Sequence, residues 1–189
     1  MTEKEILARF KETRALRTGH FLLRSGLHSD RFFQAALLLQ HTGIAAELCA
    51  LLARRFADAE VDTVISPAVG GIVVGQEVGR ALGCRAIFAE KAGDSRLVLR
   101  RGFHIEPGER LLIAEDVITR GGRVQQTLDL VREHGGTPVG AAVLVDRSGG
   151  RATFGVPLES LAKMDLAVYD PADCPHCRAG TPLERPGSK

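Results

Sequence analysis

No apolar run in this sequence approaches the roughly 20 residues needed to cross a bilayer. An excess of either charge is missing too. With 25 Lys and Arg against 23 Asp and Glu, the net charge is +2, too small to argue for nucleic acid or an anionic membrane surface as a partner. The opening Met1-Thr2-Glu3-Lys4-Glu5 lacks the basic-then-apolar layout of a secretory signal, so the cytoplasm is the expected location. No segment recurs at a solenoid-like period, and only the Pro/Gly-rich tail approaches low complexity. Cysteines are few. Cys49 lies in an apolar helical run and Cys84 just before a strand, so both read as small buried hydrophobes. Cys174-Pro-His-Cys177 is a CxxC with His176 between the thiols, but a structural zinc needs about four ligands, usually from a second pair. No second pair lies nearby in the sequence. Plain tail structure, or a ligand set completed across a dimer, is therefore expected, with an intrachain zinc and a disulfide or redox role as the lesser alternatives.

What remains is ordinary soluble composition, 44% hydrophobic and 25% charged, on a chain of 189 residues that suits one α/β domain. The most informative stretch is Leu111 to Arg123. Leu111 to Ala114 is a continuous apolar run, the pattern of a strand buried on both faces. Glu115 and Asp116 follow, then a tight turn, Thr119-Arg120-Gly121-Gly122. Val124, Leu128 and Val131 at i, i+4 and i+7 predict a helix beginning at Arg123. Backbone N–H groups at such a turn and helix start can cradle a phosphate. Carboxylates a few residues away suit sugar hydroxyls or a metal on the same ligand. Each feature also has a plain explanation, since acids collect at solvated strand ends and Gly-Gly is often only a turn. Their convergence at the carboxyl end of a buried strand predicts a binding site.

This stretch resembles the phosphoribosyl-pyrophosphate (PRPP) motif of the type I phosphoribosyltransferases: four apolar residues, two acids, then a Thr/Ser- and Gly-rich loop. Glu115 stands where Asp is also common, and Arg123 where Ser or Thr is frequent. The resemblance implies a phosphate site at Thr119, Arg120, Gly121, Gly122 and Arg123, with Glu115 and Asp116 on the ribose hydroxyls.

Elsewhere, helical spacing of Ile6, Leu7, Phe10 and Leu16 predicts a first helix over 3–17. Residues 19–34 read as strand, turn at Ser25-Gly26, strand. Arg24-Ser25-Gly26 and Phe32-Phe33 are similar to the N-terminal hood of orotate phosphoribosyltransferases. That likeness implies Phe32 and Phe33 against a planar pyrimidine, with Arg24 near the ligand's anionic groups; without it, the segment is an edge hairpin. A helix is predicted over 42–56. Val61 to Ser66 is a second buried strand, running into Ser66-Pro67-Ala68-Val69-Gly70-Gly71 and an apolar helix. This looks like the family's pyrophosphate loop, with Ala68, Val69 and Gly70 contacting PRPP through the backbone and a cis peptide between Ala68 and Val69; a simple βα turn is the alternative.

Cys84 to Ala89 is a third strand. Residues 90–101, with Lys91, Arg96, Arg100 and Arg101, resemble the family's closing catalytic loop or form a solvated hairpin. The resemblance implies a catalytic Lys91, reaching the neighbouring subunit's site in a homodimer, with Arg96 beside PRPP. Pro138 to Val145 is a strand ending in Asp146-Arg147, where the resemblance implies Arg147 on the orotate carboxylate, together with Thr119; a merely local Asp146–Arg147 turn is the alternative. Met164 to Tyr169 is expected as the last strand.

The expected architecture is a parallel α/β sheet of about five strands with flanking helices and an N-terminal hood. One domain is expected, with helix and hood at 1–40, core at 41–170 and tail at 171–189. The resemblance spans nearly the whole chain and looks like a short-loop, thermophile-type branch of the orotate enzymes. It implies transfer of a phosphoribosyl group from PRPP to orotate, with Asp116 and Lys91 as catalytic residues. Mg²⁺ would ride on the substrate with no firm protein ligand, and neither nucleic acid nor membrane is an expected partner. A phosphoribosyltransferase for another base and a non-catalytic PRPP or nucleotide sensor are the competing alternatives.

Overall fold

The computed structural model describes residues 1–23, 25–93 and 95–186. Helix α1 (Glu3–Glu12) starts at a Thr2 N-cap whose hydroxyl and the Glu5 carboxylate form a reciprocal capping box. It stops five residues short of the predicted end, because Arg14 takes a left-handed φ of 57° and breaks the hydrogen-bond ladder. Leu16 therefore opens strand β1 (Leu16–Leu22), which pairs antiparallel with β2 (His28–Phe33). A short helix, α2 (Ala35–Leu39), and α3 (Thr42–Arg54) lead into the core.

The core then alternates strand and helix: β3 (Thr63–Pro67), α4 (Gly71–Leu82), β4 (Arg85–Lys91), β5 (Leu97–Leu99), β6 (Arg110–Ile118), α5 (Gly122–Glu133), β7 (Thr137–Asp146) and β8 (Leu158–Lys163). These strands form one six-stranded sheet in the order β5-β4-β3-β6-β7-β8. Five are mutually parallel, and β5 adds an antiparallel edge. The apolar runs of β6 and β7, and β3 with its buried Thr63 and Ser66, are covered on both faces, as a doubly covered parallel sheet demands. Alternation divides them. Val64, Leu112 and Leu144 face a core shared with α1, α2, α3 and α4; Ile65, Ile113 and Val143 face the core under α5.

From β3 the chain winds outward through β4 to one edge, then restarts at β6 and winds to the other. The sheet's switch point lies between β3 and β6, and the turns leaving their carboxyl ends sit side by side. The end of the sheet differs from expectation. Leu158–Lys163 is the last core strand, whereas within 164–169 only β9 (Val168–Tyr169) is extended, and it pairs with β2 in a second sheet, β1-β2-β9. The hood thus draws on both ends of the chain. Glu184 extends this, accepting from Leu22 N–H and donating its own N–H to the His20 carbonyl, both at 2.8 Å.

Between β9 and Glu184, the four-residue helix α6 (Pro175–Arg178) holds the CxxC. Cys174 and Cys177 meet His20 of β1 and His28 of β2 within this one chain. No sequence proximity joins the pairs, so the CxxC read by itself as plain tail structure or as part of a ligand set completed across a dimer. Among the described residues, no helix is long and apolar enough to cross a membrane.

Candidate active site

The turn after β6 is built for an anion. Gly121, the N-cap of α5, has φ +76°, and a Cβ there would stand 2.6 Å from Phe154 Cζ, so conformation and space both require glycine. No side chain caps this helix, which leaves its first N–H groups facing a pocket of ≈ 370 Å³. Thr119, Arg120, Gly121, Gly122 and Arg123 line that pocket, with Glu115 and Ser95 on its wall.

Both acids belong to β6 itself, and strand alternation sends them to different cavities. Glu115 lines the small pocket and Asp116 the large one. Glu115 is buried, and its Oε2 has no hydrogen-bond partner among the described residues. Burial, reinforced by the adjoining Asp116 carboxylate, pushes the Glu115 carboxyl up to about 9, so it is neutral at pH 7. Asp116 instead anchors itself locally, its Oδ1 accepting from Val117 N–H at 2.7 Å.

The large cavity, ≈ 1510 Å³, lies between the sheet's carboxyl edge and the hood. Thr119 and Arg120 belong to the walls of both cavities and so join them. Val69 and Gly70 contribute the turn after β3, in which the Ala68–Val69 peptide is cis, as expected from position. Ala68 is outside the lining, its N–H held by the Ala89 carbonyl at 2.8 Å. A Cβ at Gly70 would stand 2.6 Å from Asp116 Oδ2, so glycine is what lets the two turns approach.

Arg147 enters from the end of β7. Its N–H bonds the Ile118 carbonyl at 2.8 Å, and Asp146 Oδ1 accepts from Ser148 N–H at 2.7 Å. The local Asp-Arg turn and the cavity-facing guanidinium therefore coexist. Arg147 Nε is buried without a partner among the described residues, and desolvation lowers the group's affinity for its proton. A half-buried cation lacking a counter-ion is a receptor for an anion.

The structure separates the two hood phenylalanines. Phe32 lines the large cavity with Ser25, but Phe33 packs in the core, its ring centroid 4.9 Å from that of Phe10. Consecutive strand residues point to opposite faces, so both could not face one ligand. Arg24 lies outside the described residues. Lys91 ends β4 and Arg96 precedes β5 on an antiparallel hairpin closed by Ala92 N–H to the Arg96 carbonyl. Neither lines either of these two cavities, whereas Ser95 of the same turn reaches the smaller one.

Sequence reasoning missed Arg151, a third guanidinium on the large cavity beside Arg120 and Arg147. Its signal was the preceding Gly149-Gly150, whose φ values of 63° and 78° fold the chain back. Gln34, Gln40 and Asp165 were missed as well, and no motif marks them.

Residues 35–153 match the phosphoribosyl transferase domain family. The orotate phosphoribosyltransferase of Pelotomaculum thermopropionicum is 52% identical over 189 residues, covering 100% of this chain and 99% of that protein. Among solved structures, orotate phosphoribosyltransferase from Aeropyrum pernix superposes with a TM-score of 0.68 at 25% identity, covering 87% of this chain and 94% of that one. Adenine phosphoribosyltransferase from Rhodothermus marinus gives 0.65 at 23% identity, covering 85% and 99%, so the fold alone does not choose the base. Full-length similarity does: the chain belongs to the phosphoribosyl transferase family, among the orotate phosphoribosyltransferases.

Proposed function

We propose that the protein transfers the 5-phosphoribosyl group of PRPP to orotate, giving orotidine 5'-monophosphate and pyrophosphate in pyrimidine synthesis. The carrying observation is that one phosphate pocket opens, through the shared wall of Thr119 and Arg120, into a cavity with a turn for a second anion and an uncompensated Arg147. In this reading the N-terminus of α5 holds the 5'-phosphate, and Arg123 adds a cation in place of a hydroxyl. Neutral Glu115 exchanges hydrogen bonds with a ribose hydroxyl, while Asp116 faces the ring from the cavity side. The backbone of Val69 and Gly70 receives pyrophosphate; Ala68, its N–H spent on the Ala89 carbonyl, sets the turn behind them. Orotate lies against Phe32 with its carboxylate on Arg147, where a bidentate pair fixes the plane of the base.

The C1'–O bond to pyrophosphate breaks as the C1'–N bond to the base forms, through an oxocarbenium-like state. Asp116 is the carboxylate placed to stabilise its positive charge. Lys91, with Arg96, belongs to a hairpin that serves the neighbouring subunit of a homodimer, neutralising the leaving group. Mg²⁺ fits this site as a substrate-borne ion. Asp116 is the protein group that would stand beside it, and when bound the ion supplies charge screening for pyrophosphate. A cytoplasmic setting suits such phosphorylated substrates.

The test mixes protein, PRPP and Mg²⁺ with orotate, adenine, hypoxanthine or uracil and follows pyrophosphate release. Release with orotate alone is expected. Release with a purine but not orotate assigns another base, and none with any base leaves a sensor.

A further inference from the structure

The hood and the tail carry a constellation that phosphoribosyl transfer does not use. His20 of β1, His28 of β2 and the two thiols flanking α6 present one donor atom each, and all four atoms lie within 4.8 Å of one another. His20 is 2% exposed, His28 5% and Cys174 0%, with Cys177 on the outer side. Two imidazoles and two thiols are gathered here from segments about 150 residues apart in sequence.

The distances suit one ion at the centre. Tetrahedral zinc, with bonds of about 2.3 Å to sulfur and about 2.0 Å to nitrogen, sets S and N ligands about 3.5 Å apart and two nitrogens about 3.3 Å apart. Cys174 Sγ stands 3.5 Å from His20 Nε2; Cys177 Sγ stands 3.7 Å from His20 Nε2 and 3.3 Å from His28 Nδ1. The nitrogens, 2.8 Å apart, need to open by about half an ångström to reach the tetrahedral edge.

The surroundings also suit a ligand. The other nitrogen of His20, Nδ1, is 2.9 Å from the Thr181 carbonyl. A carbonyl only accepts, so Nδ1 carries the proton and Nε2 presents its lone pair to the cluster. Thr181 belongs to the same tail as the thiols. The i, i+3 spacing of Cys174 and Cys177 around one helical turn brings both sulfurs to one side, in the manner of metal-binding CxxC turns.

We propose that His20, His28, Cys174 and Cys177 hold one structural Zn²⁺ that staples the C-terminal tail to the hood. The ion closes a loop running almost the length of the chain and fixes the hairpin whose other residues, Ser25 and Phe32, face the large cavity.

The test uses the untagged full-length protein, isolated under reducing conditions without chelator and measured for metal by mass spectrometry. One zinc per chain is expected. Replacement by Co²⁺ should give the visible absorption of a tetrahedral thiolate-ligated ion with a sulfur-to-metal charge-transfer band. Cys174→Ser with Cys177→Ser, or His28→Ala alone, should abolish the stoichiometric metal. His176→Ala should keep it, since His176 stacks on His20 at 5.5 Å without joining the set. Chelation should expose the tail to proteolysis, a readout independent of turnover. The metal content and Co²⁺ spectrum of the unaltered protein decide the matter even where a variant does not fold. Three results overturn the proposal: less than about one zinc per ten chains after reconstitution, a Cys174–Cys177 disulfide in freshly isolated protein, or loss of zinc on His176→Ala.

Discussion

Glu115 shows how one buried side chain ties the site to stability. Its carboxyl moves from an ordinary 4.5 to about 9 in the folded chain, first through desolvation and then through Asp116. A raised carboxyl is favourable to folding below its unfolded value, and that advantage is lost as pH rises. Between about 4.5 and about 9 the unfolded chain gives up this proton and the native one keeps it, so stability falls across that window. Glu115→Gln mimics the neutral acid and removes the slope. Urea midpoints of both proteins, followed from about pH 5 to about pH 9, should therefore diverge, with the variant gaining on the parent as pH rises. Parallel profiles would remove the neutral Glu115. Arg147 is expected to act on the ligand instead. Arg147→Gln should raise the KM for orotate about ten- to hundredfold, the worth of a charged hydrogen bond, with a smaller effect on the KM for PRPP. Equal effects in initial-rate kinetics would assign Arg147 to the phosphates. At this scale the sequence was legible wherever a motif carried the residue, as with Thr119 to Arg123. It was illegible where only side-chain direction decided, as with the parting of Phe32 from Phe33, or where a residue such as Asp165 joins the cavity by tertiary position alone.

Helix α4 explains what an apolar pattern conceals. Its glycines Gly71, Gly75 and Gly79 recur at i, i+4 and i+8, and each faces the sheet. A Cβ at Gly71 would meet the Ala114 carbonyl at 3.1 Å, one at Gly75 the buried Ser66 Oγ at 2.6 Å, and one at Gly79 the Ala86 Cβ at 3.0 Å. The helix thus lies close over β3, β4 and β6, holding its N-terminal turn beside Asp116. Gly75→Ala should destabilise the protein by about 1–3 kcal/mol through overpacking, despite alanine's better helix propensity. Gly43→Ala in α3, where a Cβ meets nothing within 4 Å, should stabilise it by a few tenths to about 1 kcal/mol. Denaturant melts check the opposite signs; the same sign at both sites would deny the close approach of α4. Strands were legible for a related reason. Those inside the sheet are covered on both faces and read as unbroken apolar runs, whereas β8, at an edge, mixes Glu159 and Ser160 with Leu161 and Ala162. Met164 and Leu166, buried and apolar but not extended, drew the expected strand out of register.

On the scale of the molecule, one chain supplies two glycine turns at the switch point, a large cavity and a hood, and Lys91 lines neither of the two cavities described. The hairpin of β4 and β5 lies at the sheet edge farthest from β8. If Lys91 acts across a two-fold dimer, the site of one subunit combines its own Asp116 with its partner's Lys91. Lys91→Ala and Asp116→Asn should each lower kcat strongly while leaving orotate affinity less affected. Mixed at equal concentration and allowed to exchange subunits, the two inactive proteins should then regain activity. Half of the dimers become mixed, each with one intact site of two, so turnover should approach about a quarter of the parent's. If Lys91 serves its own chain, or the protein works as a monomer, every site in the mixture stays defective and no activity returns. Native mass spectrometry of the same mixture, with one variant isotopically labelled, establishes that subunits have exchanged, so that absent recovery counts against the shared site. A positive result would add the partner's Lys91 to the cavity's own Arg120, Arg147 and Arg151 as a cation for the leaving group.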